Sequence, residues 1–303
     1  MPDQLRTAGF PQVRLLARGM EGEVYALDEQ TVAKVYRQAP GPDEAFTAVL
    51  TQVASAGLPY GTTTPLGSVF LGGGGRAFLE RRFHGRLLDA CYDVDAGLVD
   101  DRVPTALVSV LGPLAEVRPA LATTTVLGGL VVDYIQQSWS QALGGVLTTR
   151  LTTYGGQLRS RVPGLDGLVA GVGGMLRART GEPASIQHGD ICGANVLVDA
   201  DCRPVALIDW GFLTLLAEPA FDAALAAAFL DMYGPHAVET DRRLRAVFAD
   251  AFGFPSELLL TYQALYALIG SNAYSDDGRD GHFEWCVRTL NRADVRAATS
   301  TWA

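Results

Sequence analysis

His188-Gly189-Asp190-Ile191-Cys192-Gly193-Ala194-Asn195-Val196-Leu197-Val198 is followed, after six intervening residues, by Val205-Ala206-Leu207-Ile208-Asp209-Trp210-Gly211. The polar side chains Asp190, Asn195 and Asp209 interrupt apolar, β-branched runs, which places each of them in a loop at the mouth of a strand. Asp190 and Asn195 are close enough in sequence for one loop to present both. Asp209 follows Asn195 at the distance expected of a hairpin that folds back beside it. A carboxylate that can take or orient a hydroxyl proton, next to oxygen donors for a hard divalent cation, is the set that phosphoryl transfer requires.

Working outward, the sequence before this stretch is strand-rich. Residues 13–17, 23–27 and 31–36 are short runs rich in β-branched and apolar residues between turn signals, with Asp28-Glu29-Gln30 as a tight connection. Gly41-Pro42-Asp43-Glu44 opens a helix to about residue 56, with Gly57 as its stop. Two further strand-like runs, 65–71 and 76–80, flank Gly72-Gly73-Gly74-Gly75. No helix follows these glycines, so they read as a hairpin turn and not as a phosphate cradle. Gly171-Val172-Gly173-Gly174 has no strand before it and reads as a site of close helix packing. From residue 86 to 182 the pattern is mainly helical, including 106–117 and 129–143; strands return at 185–208, and helices resume from 221. The expected fold is α+β. A small β-rich lobe, residues 1–82, precedes a larger, mainly helical lobe, residues 83–303, with a strand pair embedded in it.

At 303 residues the chain can bury one large core or two moderate ones. Its net charge of −9 argues against nucleic acid as the main partner and leaves room for a cationic one. The start, Met1-Pro2-Asp3-Gln4-Leu5-Arg6, lacks the basic-then-apolar order of a signal peptide. The longest apolar stretch, 121–132, is interrupted by three threonines and two glycines, so no membrane span is expected. Cys91, Cys192, Cys202 and Cys286 show no paired spacing and read as reduced thiols of a cytoplasmic protein. Of 24 basic Lys and Arg residues, 23 are arginine; the sole lysine is Lys34.

These motifs resemble the catalytic and metal-binding loops of the aminoglycoside phosphotransferase family, itself similar to protein kinases. In that family His-Gly-Asp stands where protein kinases have His-Arg-Asp, and Asp-x-Gly follows. The resemblance covers most of the chain and implies a two-lobed protein-kinase-like fold with ATP or GTP as co-substrate and Mg²⁺ as cofactor. Asp190 would be the catalytic base, and Asn195 and Asp209 the metal ligands. Gly19-Met20-Glu21-Gly22-Glu23-Val24-Tyr25 resembles the nucleotide-covering loop, with Gly19 and Gly22 as its glycines. Val32-Ala33-Lys34-Val35 resembles the third-strand lysine, and Glu44 is the helix carboxylate expected to pair with it. Glu80-Arg81-Arg82-Phe83-His84-Gly85 resembles the hinge, giving Arg81 and Phe83 a place at the nucleotide. Asp222 is expected to anchor the catalytic loop, His188 to be structural and Trp210 to pack. The chain departs from the family at Cys192, often His, and at Ala194, often Gly; neither is a base or metal position.

The implied acceptor is a small, cationic, hydroxyl-bearing molecule. Asp276, Asp277, Asp280 and Glu284 near the C-terminus are the acids that would bind it, with Asp93, Asp95, Asp100 and Asp101 as a second group; a solvated acidic face accounts for the same residues. A biosynthetic metabolite kinase fits the sequence as well as an antibiotic kinase. A pseudokinase would have lost Asp190, Asn195, Asp209 or Lys34, and all four are present. About ten residues separate Trp210 from Phe221, too few for the activation segment of a protein kinase.

Overall fold

The N-terminal part of the chain forms an antiparallel sheet of five strands, seen in a computed structural model that describes residues 1–19, 22–37, 41–93 and 95–303. Helix α1 (Pro2–Thr7) leads into β1 (Arg14–Arg18), β2 (Gly22–Ala26) and β3 (Thr31–Tyr36). Helix α2 (Glu44–Ala54), β4 (Gly61–Thr62), β5 (Pro65–Phe70) and β6 (Arg76–Arg81) follow. The sheet order is β1-β2-β3-β6-β5. Because side chains alternate along a strand, one face buries Tyr25, Ala33, Val35 and Ala77 against Leu5 of α1. The register pairs Lys34 with Phe78 and Val32 with Glu80, so these four share the other face.

Helix α2 starts where Asp43 accepts a hydrogen bond from the Phe46 amide at 2.7 Å, an N-cap that satisfies one orphan donor. Its buried side, Val49, Leu50 and Val53, joins the larger core of the helical region and not the small core under the sheet. Strand β4 also crosses over, pairing in parallel with a strand of that region. The two parts of the chain are thus packed together from behind.

The helical region comprises β7 (Arg86–Leu87), α3 (Arg102–Leu114), β8 (Thr123–Val126), β9 (Leu130–Asp133), α4 (Trp139–Arg161) and α5 (Leu165–Ala178). Then come β10 (Ser185–Gln187), β11 (Val196–Val198), β12 (Pro204–Leu207) and β13 (Leu215–Ala217). Helices α6 (Ala220–Phe229), α7 (Ala237–Phe252), α8 (Ser256–Gly270), α9 (Gly281–Asn291) and α10 (Ala293–Ser300) complete the chain. Helix α6 is buried along its whole length and α8 from Leu258 to Gly270, and both are predominantly apolar, the pattern of central core helices. Strands β11 and β12 form the expected hairpin, flanked by β7 and β4 in a four-stranded sheet.

The glycine readings hold. Gly72–Gly74 make a single 3₁₀ turn between β5 and β6. A side chain at Gly171 or Gly174 would collide with the carbonyls of Thr299 and Trp302, so these glycines let α5 approach the C-terminal segment. Two expectations fail. Residues 129–143 are not one helix: β8 and β9 form a hairpin, and α4 begins only at Trp139. Thr123-Thr124-Thr125 favours extended backbone, and Leu127, Gly128 and Gly129 turn the chain with positive φ. The cysteines are not all reduced thiols, because Cys91 and Cys202 form a disulfide. The turn between β11 and β12 brings their Cα atoms to 6.4 Å across a sequence separation of 111, a proximity that spacing alone could not reveal. Cys192 and Cys286 are free.

Candidate active site

The loop from His188 to Asn195 leaves β10 and enters β11, and its shape is fixed from below. Asp222, in the first turn of α6, is fully buried and accepts hydrogen bonds from the backbone amides of His188 (2.7 Å) and Gly189 (2.8 Å). Burial outweighs these two bonds and pushes its carboxyl up to about 7. Gly189 has positive φ and lies against the Leu213 carbonyl, where any side chain would collide. His188 is buried, bonded through Nε2 to the Ile208 carbonyl at 2.9 Å and packed edge-on against Trp210. Burial holds its imidazole down near 4, so it is neutral and structural. Trp210 is likewise a packing residue, donating from Nε1 to the Leu207 carbonyl.

Asp190 and Asn195 meet directly. The Asn195 side-chain nitrogen donates to the Asp190 carbonyl at 2.8 Å and to Asp190 Oδ2 at 3.0 Å. The Asn195 carbonyl accepts from the Ile208 amide at 2.9 Å, which brings Asp209 beside this loop. Asp209 has φ of +66°, the left-handed region that a non-glycine residue enters only with local support. Here the support comes from the Ile208 amide bond before it and from Gly211, whose amide donates to Thr214 Oγ1 at 3.0 Å.

Lys34 extends from β3 across the cleft, and its ammonium is hydrogen-bonded and ion-paired to Asp209 Oδ1. Burial opposes the charge, but Asp209, with Tyr36 and Glu80 nearby, more than offsets it and raises the Lys34 pKa above its ordinary value. Among the described residues, Lys34 is ion-paired with Asp209 and not with Glu44. Glu44 stands exposed in the first turn of α2. It lines, with Thr47, Ser68, Phe78 and Glu80, a cavity of about 730 Å³ between α2 and the sheet. The acid on the face of Lys34 is Glu80, which burial raises to about 7 against the pull of Lys34. Its place depends on the β3–β6 register, which pairs it with Val32.

Of the remaining candidates, Gly19 donates its amide to the Gly22 carbonyl at 2.9 Å, and a side chain at Gly22 would strike the Val35 carbonyl. Met20 and Glu21, between them, lie outside the described residues. Arg81 lies over the Phe83 ring at 5.5 Å, and Phe83 in turn fills the space that a side chain at Gly61 would need. The C-terminal acids all have local partners. Asp276 accepts from the Tyr154 hydroxyl at 2.7 Å, Asp277 from Ser275, and Asp280 from the Phe283 amide as the N-cap of α9. Glu284 forms a two-point pair with Arg161 at 3.0 and 2.9 Å.

A small β-sheet over a helical region, with a strand lysine paired to Asp209 beside the loop of Asp190 and Asn195, is the arrangement of a kinase. The chain matches the phosphotransferase enzyme family over residues 12–265 and belongs to it. It is a small-molecule kinase. No curated protein matches it in sequence. Among solved structures, it is similar to a thermostable mutant of aminoglycoside phosphotransferase APH(4)-Ia in ternary complex with AMP-PNP and hygromycin B. That likeness has a TM-score of 0.68 at 15% identity, covering 97% of each chain. It is also similar to aminoglycoside phosphotransferase APH(3'')-Id from Streptomyces rimosus with ADP and streptomycin, with a TM-score of 0.59 at 18% identity over 88% of this chain and 96% of that one. ADP-bound APH(2'')-Ib has a TM-score of 0.58 at 11% identity, covering 97% and 96%. At these identities the likeness establishes the two-lobed kinase-like fold. No helix among the described residues is long and apolar enough to cross a membrane.

Proposed function

We propose that this protein transfers the γ-phosphoryl group of ATP or GTP to a hydroxyl of a small, cationic, antibiotic-like molecule, with Asp190 as the base. The observation that carries the reading is the convergence of Asp190, Asn195, Asp209 and Lys34 from two loops and a strand on one cleft. Residues 1–82 serve as the nucleotide lobe and 83–303 as the catalytic and acceptor lobe. Gly19, Gly22, Arg81 and Phe83 line the nucleotide, with Lys34 on its phosphates. Asp190 has a carboxylate oxygen oriented by Asn195, the arrangement of a group that takes or steers the acceptor's proton.

The donor set fits Mg²⁺. Asn195 commits its side-chain nitrogen to Asp190, which leaves its side-chain oxygen for a cation, and Asp209 adds a charged oxygen ligand. When bound, the ion would neutralise phosphate charge. Lys34, now paired with Asp209, would then turn to the phosphates. A cytoplasmic location goes with a supply of nucleotide and Mg²⁺; the cysteines no longer support it.

The acceptor's charge is supported by the net charge of −9 and by the exposed acids Asp276 and Asp277, with Asp280 and Glu284 beside them. Attraction of this kind is screened over about 8 Å at physiological salt. A nucleotide-consumption screen of the purified protein against aminoglycosides, macrolides, peptide antibiotics and common metabolites tests the reading. The expected hit is a cationic antibiotic whose KM rises with ionic strength. A neutral or anionic best substrate, or a KM indifferent to salt, overturns the cationic assignment.

A further inference from the structure

Beside the catalytic loop stands an aromatic surface that the mechanism above does not use. Gly189 packs on the Leu213 carbonyl, so the segment that carries Phe212 runs beside the loop that carries Asp190. Phe212 is stacked on Tyr274 with ring centroids 5.5 Å apart and planes within 11°. Tyr274, in the segment between α8 and α9, is 42% exposed, and its ring meets that of His282 at 5.0 Å. His282 is buried and held from both sides: Nδ1 bonds the Tyr233 hydroxyl at 3.0 Å and Nε2 the Tyr266 hydroxyl at 3.3 Å. Burial pushes His282 down to about 4, and a neutral imidazole has the one donor and one acceptor that such a bridge needs. The Tyr233 ring, 61% exposed, extends the surface. Its phenol is pushed up to about 12, first by desolvation and then by the acidic groups of Cys286, Asp280 and Asp190.

A contiguous aromatic surface, unlike a single exposed ring, marks a place where a ligand docks. Rings locked in place by stacking and by a bridged histidine lose little entropy when a ligand docks.

We propose that Phe212, Tyr274 and Tyr233 form the acceptor platform, taking the flat face of a ring-shaped acceptor, saturated or aromatic, and presenting its hydroxyl to Asp190. The platform deepens the reading given under Proposed function and rests on it for the place of the reacting hydroxyl. It makes ring shape the first determinant of acceptor choice, with charge acting as attraction from a distance.

The test measures calorimetric affinity on the full chain loaded with AMP-PNP and Mg²⁺. The probes are hygromycin B, streptomycin, a neutral nitrophenyl glucoside and acyclic choline. The variants are Phe212→Ala, Tyr274→Ala, Tyr274→Phe and, as a remote exposed aromatic, Phe70→Ala. Each alanine variant at the platform should weaken every ring probe that binds the parent by about three- to tenfold. Tyr274→Phe, which keeps the ring, and Phe70→Ala should stay within about twofold. For any probe that is also phosphorylated, Tyr274→Ala should raise KM and leave kcat nearly unchanged. Parental affinity in both alanine variants overturns the proposal, as does choline binding better than every ring, or no ring probe binding the parent. Ring probes that bind through the platform yet are never phosphorylated would count against the catalytic reading alone. Turnover with an unaltered KM in Tyr274→Ala would count against the platform alone.

Discussion

Replacing Asp222 by Asn should make this protein's stability respond differently to pH. Asp222 is fully buried, and among the described residues its carboxylate accepts from the His188 and Gly189 amides. Its carboxyl rises from 3.8 to about 7. A carboxyl whose folded pKa is raised stabilises the fold fully below its unfolded pKa, and that contribution is lost as pH climbs through the folded value. A rise of about three units at 1.36 kcal/mol each corresponds to about 4 kcal/mol, lost between about pH 4 and pH 7. Asn has nearly the same shape and does not titrate. The wild type should therefore lose up to about 4 kcal/mol relative to Asp222→Asn over that range, a large part of a typical folding free energy. Titrations common to both proteins, such as that of His188, cancel in the difference. The assay is urea unfolding followed by tryptophan fluorescence at half-unit steps of pH, with the two proteins side by side. A difference that stays constant with pH would refute the reasoning. A wild type that gains on the variant as pH rises would show that the two amides outweigh burial.

Asp209→Ala should abolish Mg²⁺-dependent nucleotide binding more completely than Asn195→Ala, since it removes a charged ligand; calorimetry with and without Mg²⁺ checks this, and unchanged metal dependence in Asp209→Ala contradicts it. Lys34 and the α-amino group are the chain's only amines, so acylation mapped by peptide should lower activity in proportion to modification of Lys34, with Mg²⁺-nucleotide shielding it. Lys34→Arg should not restore activity, because a planar fork cannot take the place of a point charge paired with Asp209. Normal turnover by fully acylated protein would remove Lys34 from the site.

The candidate site was legible because its polar residues are compressed into one stretch, residues 188–211. Local residue types there specify loop, strand and hairpin, and the structure returns Asp190, Asn195 and Asp209 to one place. The partner of Lys34 was not legible. It depends on how the Asp209 loop packs against the sheet and on which residue of β6 pairs with which of β3, and the sequence points to Glu44. The β8–β9 hairpin was hidden because its apolar residues also fit a helical period, and only the positive φ values at 127–129 decide between them. The Cys91–Cys202 disulfide and the Phe212–Tyr274 stack share one cause of invisibility, since each joins residues far apart in the chain. Patterns within a segment report that segment's own structure, and long-range pairings need the packed fold.

Whether Asp190 drives phosphoryl transfer to a small molecule is tested most directly by mass spectrometry of the acceptor. The wild type and Asp190→Asn would each be incubated with ATP, Mg²⁺ and the best acceptor from the screen. The wild type should add one phosphoryl group to an acceptor hydroxyl, and the variant should do so slower by roughly 10²–10⁴-fold while still binding nucleotide. ADP formation without any phosphorylated acceptor, or a variant that keeps more than about a third of the wild-type rate, would contradict the account.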